Sequence, residues 1–414
     1  MRNIITNTAI VGGGASGLCA GIACARRTGS AVILERQPRT GRKLLATGNG
    51  RCNISNLNIS PEHYHGDRAI IDSVIGGFTP EDLKDFFMSL GVMLRPDSEG
   101  RIYPYSGQAS TVLNALRDEC RRLKVEELCS FHISEIKYSR DGFRIFSDSA
   151  VVQTKNLVIA SGSQAFPQSG ADDSGYRLLD SLGISYTPLF PALCPVFTKE
   201  RYKALKGVRA KGCVSLIADG KNLEKTEGEI QFTENGLSGI CVFELSRAVN
   251  EFLLFGKADG VRYSSVKLSL DLMKELRFSQ VCDYLFSCKS VFYDSTASLL
   301  CSGSLNDKLA LCIAKANSME NKPCSSLTSR DIKQIAKTIK DFSFTPVMSD
   351  GFKSAQVSAG GVGSREADPR TLMSKKIKNL FICGELLDAD GDCGGFNLHF
   401  AIGSALKLAE HISI

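Results

Sequence analysis

The fold of this protein is decided by residues 8–17, Thr8-Ala9-Ile10-Val11-Gly12-Gly13-Gly14-Ala15-Ser16-Gly17. A short apolar run ends there in G-x-G-x-x-G, and a helix-forming sequence follows at once. Such a turn points backbone N–H groups and the positive end of a helix at one spot, which suits a pyrophosphate. Gly12 allows the tight turn, Gly14 lets a phosphate approach the backbone, and Gly17 lets the helix lie close to the strand. The stretch therefore predicts a dinucleotide-binding α/β domain.

Two later apolar runs fit the same domain. The first, Ala31-Val32-Ile33-Leu34, ends in Glu35, which stands 18 residues after Gly17. A carboxylate about 20 residues past the glycines accepts hydrogen bonds from the ribose hydroxyls, so we place Glu35 and its neighbour Arg36 in the cofactor site. The second run, 157–160, continues into Ser161-Gly162-Ser163 and is typical of a further parallel strand. Its loop would bring Gly162 back to the dinucleotide.

Composition narrows the class of protein. A chain of 414 residues with 43% hydrophobic and 23% charged residues predicts two or three globular domains. The 15 cysteines form no C-x-x-C pair and no zinc-ligand spacing, so we expect buried reduced thiols and no metal site. No signal-peptide pattern precedes the first strand and no apolar run is long enough to span a bilayer. A cytoplasmic protein that does not enter the membrane is expected.

The positive charge lies mainly in the middle of the chain. The net charge is +6, and residues 196–345 carry 22 Lys and Arg against 17 Asp and Glu. Its densest part is a basic stretch over 199–211, where only Glu200 opposes six cations. This stretch could meet an anionic substrate or RNA. A solvated surface is the alternative, because no pattern of stacking aromatics accompanies the charges.

Periodicity predicts the other elements. Residues 79–91 should form a helix with Thr79 as its cap, and another helix is expected over about 110–123. Strands are expected over 131–136, 143–146 and 151–160, the first two forming a hairpin near Asp141-Gly142. From about 191 the composition changes: β-like runs occupy 196–270, a helical pattern occupies 271–342, and Thr328 begins its clearest helix.

Three glycine-rich segments lie outside the first motif. Residues 41–56 show neither helical nor strand periodicity, and a ligand-wrapping loop and a plain surface loop are equally compatible with them. Residues 360–364 lack a third glycine and a following helix, so we expect a turn. Residues 388–395 are acidic, but their spacing does not match a calcium loop. A final helix should start near Phe396.

Together these motifs resemble the BaiN/YhiN-like flavoproteins, also called aminoacetone-oxidase-family FAD-binding enzymes. The resemblance covers nearly the whole chain. It rests on GGGASG at 12–17, GRKLLATGNGRCNISN at 41–56, GRIYPYSGQAS at 100–110, QFTENGLSG at 231–239, AQVSAGGV at 355–362 and GELLDADGDCGGFN at 384–397.

The resemblance implies an α/β protein with a Rossmann-like FAD-binding domain built from both chain ends, 1–190 plus 346–414. An inserted β-rich domain, 191–270, and a small helical domain, 271–345, would interrupt it. Gly12, Gly14, Ala15, Ser16, Gly17 and Glu35 would hold the adenosine half of FAD. Lys43, Gly48, Gly50, Arg51, Cys52 and Asn53 lie in the loop expected near the flavin. The segment expected beside the flavin contains Gly384, Glu385, Asp388, Gly395, Phe396, Asn397 and Leu398.

The start of the final helix would then meet the flavin. Gly394 and Gly395 would remove side chains where the isoalloxazine edge approaches, and the backbone amides of Asn397 and Leu398 would face it as donors. The family commonly has Thr at Cys393, Tyr at Phe396 and Gln at His399. His399 is a candidate acid, but a packed or surface helix residue is the favoured interpretation, and no catalytic residue is assigned.

Three functions compete. The leading hypothesis is an NAD(P)H-dependent reductase of an activated C=C bond in a small molecule such as an oxo-bile acid, as in the steroid-reducing branch of the family. Because only one complete dinucleotide motif is present, NADH or NADPH would bind transiently. Amine oxidation with oxygen, as in the aminoacetone branch, is a second hypothesis. RNA binding or modification is a third, suggested by the basic middle segment.

Overall fold

The computed structural model describes residues 2–258, 260–348 and 351–414. The chain forms two compact units, one from its two ends, through Pro191 and from Ala355, and one from Ala192 to Ser354. Each unit has its own apolar core. The expected division into three domains, 1–190 plus 346–414, 191–270 and 271–345, stays a prediction. Within the second unit, helices of the expected helical domain and strands of the expected β-rich domain contribute to one core.

The first unit is built on a seven-stranded sheet. Its parallel strands stand in the order Glu126–Leu128, Ala31–Leu34, Arg2–Val11, Ala150–Ile159 and Leu380–Ile382. Two antiparallel strands, Gly142–Phe146 and Glu135–Ser139, extend the sheet beyond the first half of Ala150–Ile159. Ile10 and Val158 pair in register, and both are fully buried. Because the five strands are parallel, their carboxyl ends meet at one edge, where ligands of such sheets bind.

Helices cover this sheet. Their bounds are Ala15–Thr28, Arg42–Ala46, Arg68–Ile75, Pro80–Ser89, Ala109–Arg122, Ser174–Ser181 and Phe396–Ala409. Thr79 and Asp82 form a capping box at the start of Pro80–Ser89. Short strands complete the unit: Ser55–Asn56, Tyr64–Gly66, Leu94–Pro96, Arg101–Pro104, Phe190–Ala192, Val357–Ala359 and Ala389–Gly391.

The second unit contains an antiparallel sheet of seven strands. In sheet order they are Phe342–Phe344, Val266–Asp271, Arg209–Ala218, Lys221–Phe232, Gly236–Ser238, Val196–Thr198 and Pro346–Val347. Its helices are Ile240–Phe255, Phe278–Val291, Asp307–Ala316 and Ser329–Lys340, and a small hairpin pairs Lys257–Ala258 with Val261–Arg262.

The structure confirms most of the predicted elements. The helices expected at 79–91 and 110–123, the helix capped by Thr328 and the final helix at Phe396 are all present. The turn expected at 360–364 begins only at Ser364, because Val362 forms a parallel bridge to Leu387. The hairpin near Asp141-Gly142 is present as well.

Three expectations about elements were wrong. The strand expected over 131–136 begins only at Glu135, because the Phe131 amide bonds to the Glu35 carbonyl at 2.9 Å instead of joining a ladder. Residues 41–56 contain a short helix, Arg42–Ala46. The expected β-rich segment 196–270 contains the helix Ile240–Phe255, whose apolar residues are spread too evenly for a helical period to be recognised.

Two further features concern membrane helices and thiols. Within the described part of the chain, no helix has both the length and the apolar character that crossing a membrane requires. All 15 cysteines carry free thiols, and only Cys129 and Cys393 are not buried.

Candidate functional site

The helix Ala15–Thr28 begins at the carboxyl edge of the sheet. No side chain caps it at Gly14, and its first internal hydrogen bond runs from the Leu18 N–H to the Gly14 carbonyl at 2.9 Å. The N–H groups before Leu18 therefore have no partner within the helix. Together with the helix dipole they make a site for an anion at this end.

The three glycines of the motif have different surroundings. A Cβ added to Gly12, which has φ +105°, would lie 2.6 Å from the Ala160 carbonyl oxygen, and one on Gly17 would lie 1.9 Å from the Gly12 oxygen. Neither position therefore has room for a side chain. Gly14 differs, because a Cβ there would meet no atom within 4 Å. The open space lies where the sequence predicts that a phosphate approaches.

Glu35 follows the second strand and reaches back to the glycine turn. Its Oε2 accepts from the Gly13 N–H at 2.7 Å, and its Oε1 accepts from the Gln37 N–H at 2.7 Å. Each carboxylate oxygen keeps a further lone pair for a ribose hydroxyl. Arg36 points to another loop, donating to the Gly170 carbonyl at 2.7 Å and pairing with Asp172 at 2.6 Å.

Glu385, just after the last strand of the sheet, joins four segments of the first unit. Its Oε2 accepts from Lys43 Nζ at 2.8 Å, and its Oε1 accepts from Ser163 Oγ at 2.7 Å and from the Ser358 N–H at 3.1 Å. Its neighbour Gly384 has φ +70°, and a Cβ there would lie 2.6 Å from Ser16 Oγ. Both ends of the chain thus meet at the glycine turn. The sequence did not indicate Ser163 and Ser358, although each stands in a motif already quoted.

The loop that contains Gly48 and Asn53 is partly closed on itself. A Cβ on Gly48 would lie 2.6 Å from the Asn53 nitrogen, whereas a Cβ on Gly50 or Gly162 would meet nothing within 4 Å. Cys52 is fully buried, and desolvation raises the pKa of its thiol to about 12, so it is not a reactive group.

Arg51 lies apart from the rest of the loop. It is exposed, and its guanidinium carbon stands 4.3 Å from the centroid of the Tyr103 ring. This cation–π contact holds the side chain on the adjoining strand. The place of Arg51 beside the flavin stays a prediction.

The start of the final helix is packed against the chain segment of Asn53. A Cβ on Gly395, which has φ +103°, would lie 2.3 Å from the Ser55 carbonyl oxygen and 2.7 Å from Asn53 Oδ1. One on Gly394 would lie 3.2 Å from the Phe396 ring. Protein atoms thus occupy the space on the Cβ side of both glycines, and the expectation that a flavin edge approaches this turn stays a prediction.

Asn53 supplies a polar atom without a partner. Its Oδ1 is buried and accepts no hydrogen bond among the residues the structure covers. Such an atom costs about 1 to 3 kcal/mol unless a ligand or water donates to it. It therefore marks a position that a bound donor group would satisfy.

The remaining residues near the final helix hold the turn together. The Asn397 side chain accepts from the Gly391 N–H at 2.8 Å and donates to the Gly391 carbonyl at 2.7 Å. Asp388 is buried and accepts from Thr187 Oγ1 at 3.1 Å. The backbone N–H groups of Asn397 and Leu398 lie in the first helical turn, where no carbonyl of the helix reaches them.

His399 is a packed residue of this helix. It is fully buried, with Nδ1 2.8 Å from Ser55 Oγ and Nε2 2.9 Å from the Phe78 carbonyl oxygen. Desolvation lowers its pKa to about 4, so the imidazole is neutral, donates to Phe78 and accepts from Ser55. Its two nitrogens are occupied, which excludes it as an acid for a ligand.

Comparison of the sequence with known protein families assigns the chain to one family. Residues 6–411 match the family described as HI0933-like protein Rossmann domain. The chain belongs to this family. It is accordingly an FAD-dependent oxidoreductase of the HI0933-like group.

Two curated relatives cover nearly the whole chain. The 3-dehydro-bile acid delta(4,6)-reductase of Clostridium scindens is 35% identical over 397 residues, which is 95% of each chain. The ribosomal RNA dihydrouridine synthase of Haemophilus influenzae is 24% identical over 412 residues, 98% of each chain.

Solved structures agree on the fold. The 3-ketosteroid-delta4-(5alpha)-dehydrogenase of Rhodococcus jostii RHA1 superimposes with a TM-score of 0.51 at 14% identity, covering 99% of this chain and 98% of that one. The 3-ketosteroid delta1-dehydrogenase of Sterolibacterium denitrificans gives a TM-score of 0.51 at 11% identity, covering 99% of each chain. At such identities the likeness shows the fold alone.

The HI0933-like site fits FAD on its own geometry. The uncapped helix end, the open space beside Gly14 and the partnerless Asn53 Oδ1 are what a pyrophosphate and a polar ring would complete. In the described ranges, no group of three or more His, Cys, Asp or Glu side chains could hold a metal ion. The first unit also contains a hydrogen bond that the sequence did not indicate, between His63 Nδ1 and Asp392 Oδ2 at 2.8 Å.

Proposed function

We propose that this HI0933-like protein is a reductase that adds a hydride and a proton across a C=C bond conjugated to a carbonyl, in a small molecule. The observation that carries the proposal is the 35% identity to a bile-acid reductase over 95% of both chains. NADH or NADPH would supply the electrons.

The names of the relatives share one chemistry. A 3-dehydro-bile acid has a ketone at position 3, so a delta(4,6)-reductase acts on double bonds conjugated to it. Dihydrouridine is uridine with its C5=C6 bond saturated, and that bond is conjugated to a ring carbonyl. Both reactions are conjugate reductions on very different substrates. We infer that the reaction class is shared within the family and that the substrate is not.

The candidate site contains the residues that we propose hold the cofactor. FAD, when bound, would accept a hydride from the nicotinamide and deliver it to the substrate. We propose that it is held by Gly12, Gly14, Ala15, Ser16, Gly17, Glu35, Arg36, Lys43, Gly48, Gly50, Arg51, Cys52, Asn53, Gly162, Gly384, Glu385, Asp388, Gly395, Phe396, Asn397 and Leu398. Among these, the unpaired amides at the start of the final helix would favour negative charge beside them. A helix end of this kind supports hydride chemistry, because an accepted hydride adds charge.

Anaerobic mixing tests the proposal. The purified yellow protein is mixed with NADH or NADPH, and loss of the oxidised-flavin absorbance is followed. The reduced protein is then mixed with 4-androstene-3,17-dione as an enone probe. We expect bleaching in the first step and return of colour in the second. Bleaching by an amine, with return of colour only in oxygen, would instead support the amine-oxidase alternative.

A second candidate, RNA, is supported by a groove in the second unit. The groove, of about 430 Å³, is lined by Phe278, Ser329, Arg330, Lys333, Gln334 and Lys337. Its three cations lie on one helix face, and none has a carboxylate partner within the described residues. The basic stretch 199–211 is less open, since Lys206 pairs with Glu234 at 2.7 Å and Arg209 with Glu229 at 3.0 Å.

The groove allows a matched test of RNA binding. The variant Arg330→Gln/Lys333→Gln/Lys337→Gln removes three charges without carboxylate partners. The control, Lys206→Gln/Arg209→Gln/Lys274→Gln, removes three that are already paired. If RNA binds the groove, the first variant lowers the salt dependence of binding to single-stranded RNA by about 2 in log–log slope, and the control lowers it far less. Equal effects of the two variants would exclude the groove as the binding surface, and no binding by the wild type at low salt would remove RNA from consideration.

A further inference from the structure

An imidazole pair flanks one carboxylate at the start of the final helix. His63 Nδ1 lies 2.8 Å from Asp392 Oδ2, and His65 Nε2 lies 3.4 Å from Asp392 Oδ1. The strands Tyr64–Gly66 and Ala389–Gly391 are paired antiparallel beside these groups, and the Asp392 N–H donates to the His63 carbonyl at 3.0 Å. Backbone pairing therefore fixes the two histidines on the carboxylate.

The His63 ring is also fixed by stacking. Its centroid lies 4.5 Å from that of Phe396, with the two planes at 27°. Phe396 is the first residue of the final helix, directly before the amides that we propose face FAD. The ring is thus held by a hydrogen bond on one nitrogen and by an aromatic surface below it.

The other nitrogen of His63 is open. The His63 side chain is 38% exposed, and its Nε2 has no hydrogen-bond partner in the described part of the chain. An imidazole with Nδ1 on a carboxylate and Nε2 open has the arrangement of a general acid or base. Of the other histidines, His399 has both nitrogens occupied, and His132 and His411 are exposed and stand outside the glycine-rich motifs.

We propose that His63 Nε2 donates the proton that completes the conjugate reduction, and that Asp392 and His65 position it. This inference rests on the proposed function. FAD, when bound and reduced, would supply a hydride to the β carbon, and the π electrons of the C=C bond would move onto the carbonyl oxygen to give an enolate. The enolate α carbon takes the proton from the His63 imidazolium, which becomes neutral. Water then reprotonates the exposed ring, so two electrons and two hydrogens reach the substrate.

Titratable and charged groups face His63 from the hairpin and from the preceding turn. Asp392 and His65 face it across the hairpin, Tyr64 is buried beside it, and Glu62 on the preceding turn lies 3.7 Å from Arg68. Asp392 is the carboxylate that both imidazoles contact. A step that takes its proton from an imidazolium depends on pH.

The first test separates two half-reactions. The protein is reduced with dithionite without oxygen, then mixed with 4-androstene-3,17-dione or with oxygen. His63→Gln should slow reoxidation by the enone about 100-fold or more and abolish its pH dependence, because general-acid catalysis contributes about that much. In His63→Gln, reoxidation by oxygen and FAD content should stay within about twofold of the wild type. The control variant His132→Gln should also stay within about twofold of the wild type. Asp392→Asn should slow reoxidation by the enone about tenfold, which is between the wild type and His63→Gln.

The outcomes are distinguishable. A wild type that the enone cannot reoxidise overturns the proposed function, and the His63 inference with it. A wild type that reacts, together with an equally fast His63→Gln variant of unchanged pH profile, overturns only the inference.

A second readout needs no turnover. Nitrogen-15 NMR of the imidazoles, assigned with His63→Gln, is recorded with and without FAD. We expect FAD to shift the His63 Nε2 signal and to leave that of His132 in place. We also expect Asp392→Asn to remove the signature of a hydrogen-bonded Nδ1. A His63 signal unaffected by FAD would overturn the proposal even if the variant were slow.

Discussion

The Lys43 ammonium lies 2.8 Å from the Glu385 carboxylate, although 342 residues of chain separate them. The pair joins the loop after the second strand to the turn after the last strand. We predict that Glu385→Gln weakens FAD binding about tenfold, because hydrogen bonds to a charged group are worth about 1.5 kcal/mol or more. Titration of the apoprotein with FAD, followed by flavin fluorescence, measures the change.

A double-mutant cycle shows whether the pair itself is responsible. Lys43→Met and Glu385→Gln should together cost about 1 kcal/mol less than the sum of the single changes in FAD binding. The pair of Lys84 and Glu81 on a surface helix, at 2.6 Å, is a control that should show no coupling to FAD. Strict additivity at Lys43 and Glu385 would mean that they act on FAD independently.

Two glycines of the first motif can be told apart by substitution. Gly14→Val should fold, because its φ of −78° is ordinary and a Cβ there meets nothing within 4 Å, but the side chain should exclude the pyrophosphate. Gly17→Val should not fold, because its Cβ would lie 1.9 Å from the Gly12 carbonyl oxygen. Circular dichroism and the visible spectrum together measure both effects.

A yellow Gly14→Val protein with wild-type flavin content would contradict the placement of the cofactor. A colourless protein that melts at the wild-type apoprotein temperature would support it, since folding and binding are then separated.

The parts of the fold that were predictable from sequence depend on local pattern. The glycine spacing after a buried strand and the acid at the end of the next strand are set by backbone geometry within one βαβ unit, and the structure has both elements. The capped helix at Thr79 was recognisable for the same reason, since its cap and apolar stripe lie within about three turns of chain.

Other features depend on contacts between distant residues. Gly395 stood in a recognisable motif, yet the atom that requires a glycine there is the Ser55 carbonyl oxygen, which no spacing could indicate. His63 and Asp392 meet only because two short strands pair across more than half of the chain. The helix Ile240–Phe255 is apolar nearly all round, so burial on several sides hid its period.

Glu35 should contribute to both affinity and stability. Glu35→Ala removes the acceptor of two backbone N–H groups, those of Gly13 and Gln37, as well as the proposed ribose contact. We predict weaker FAD binding, with two lost charge-assisted hydrogen bonds at about 1.5 to 3 kcal/mol each as the upper scale. The apoprotein should also melt at a lower temperature. Glu126→Ala, which removes an exposed acid on the neighbouring strand, is the matched control. An unchanged FAD dissociation constant in Glu35→Ala would mean that the ribose binds elsewhere.

His399 should make the folded protein sensitive to acid. Burial lowers its pKa from 6.5 to about 4 in the folded state. Below about pH 6.5 the unfolded chain therefore takes up a proton that the folded chain refuses, so the free energy of unfolding falls as the pH drops toward 4. At 1.36 kcal/mol per pKa unit, the loss attributable to this one residue reaches about 3 kcal/mol at most.

Replacing the imidazole by an amide isolates that contribution. In His399→Gln the side chain can still accept from Ser55 Oγ and donate to the Phe78 carbonyl, but it does not titrate near neutral pH. We predict that urea unfolding of this variant loses less stability than the wild type between about pH 7 and about pH 5, and that the two proteins are similar at the higher pH. His411→Gln, an exposed change on the segment after the same helix, should keep the wild-type slope. If His399→Gln also kept the wild-type dependence of stability on pH, the proton uptake that destabilises the fold would belong to another group. The assignment of His399 as a neutral, doubly hydrogen-bonded residue would then be wrong.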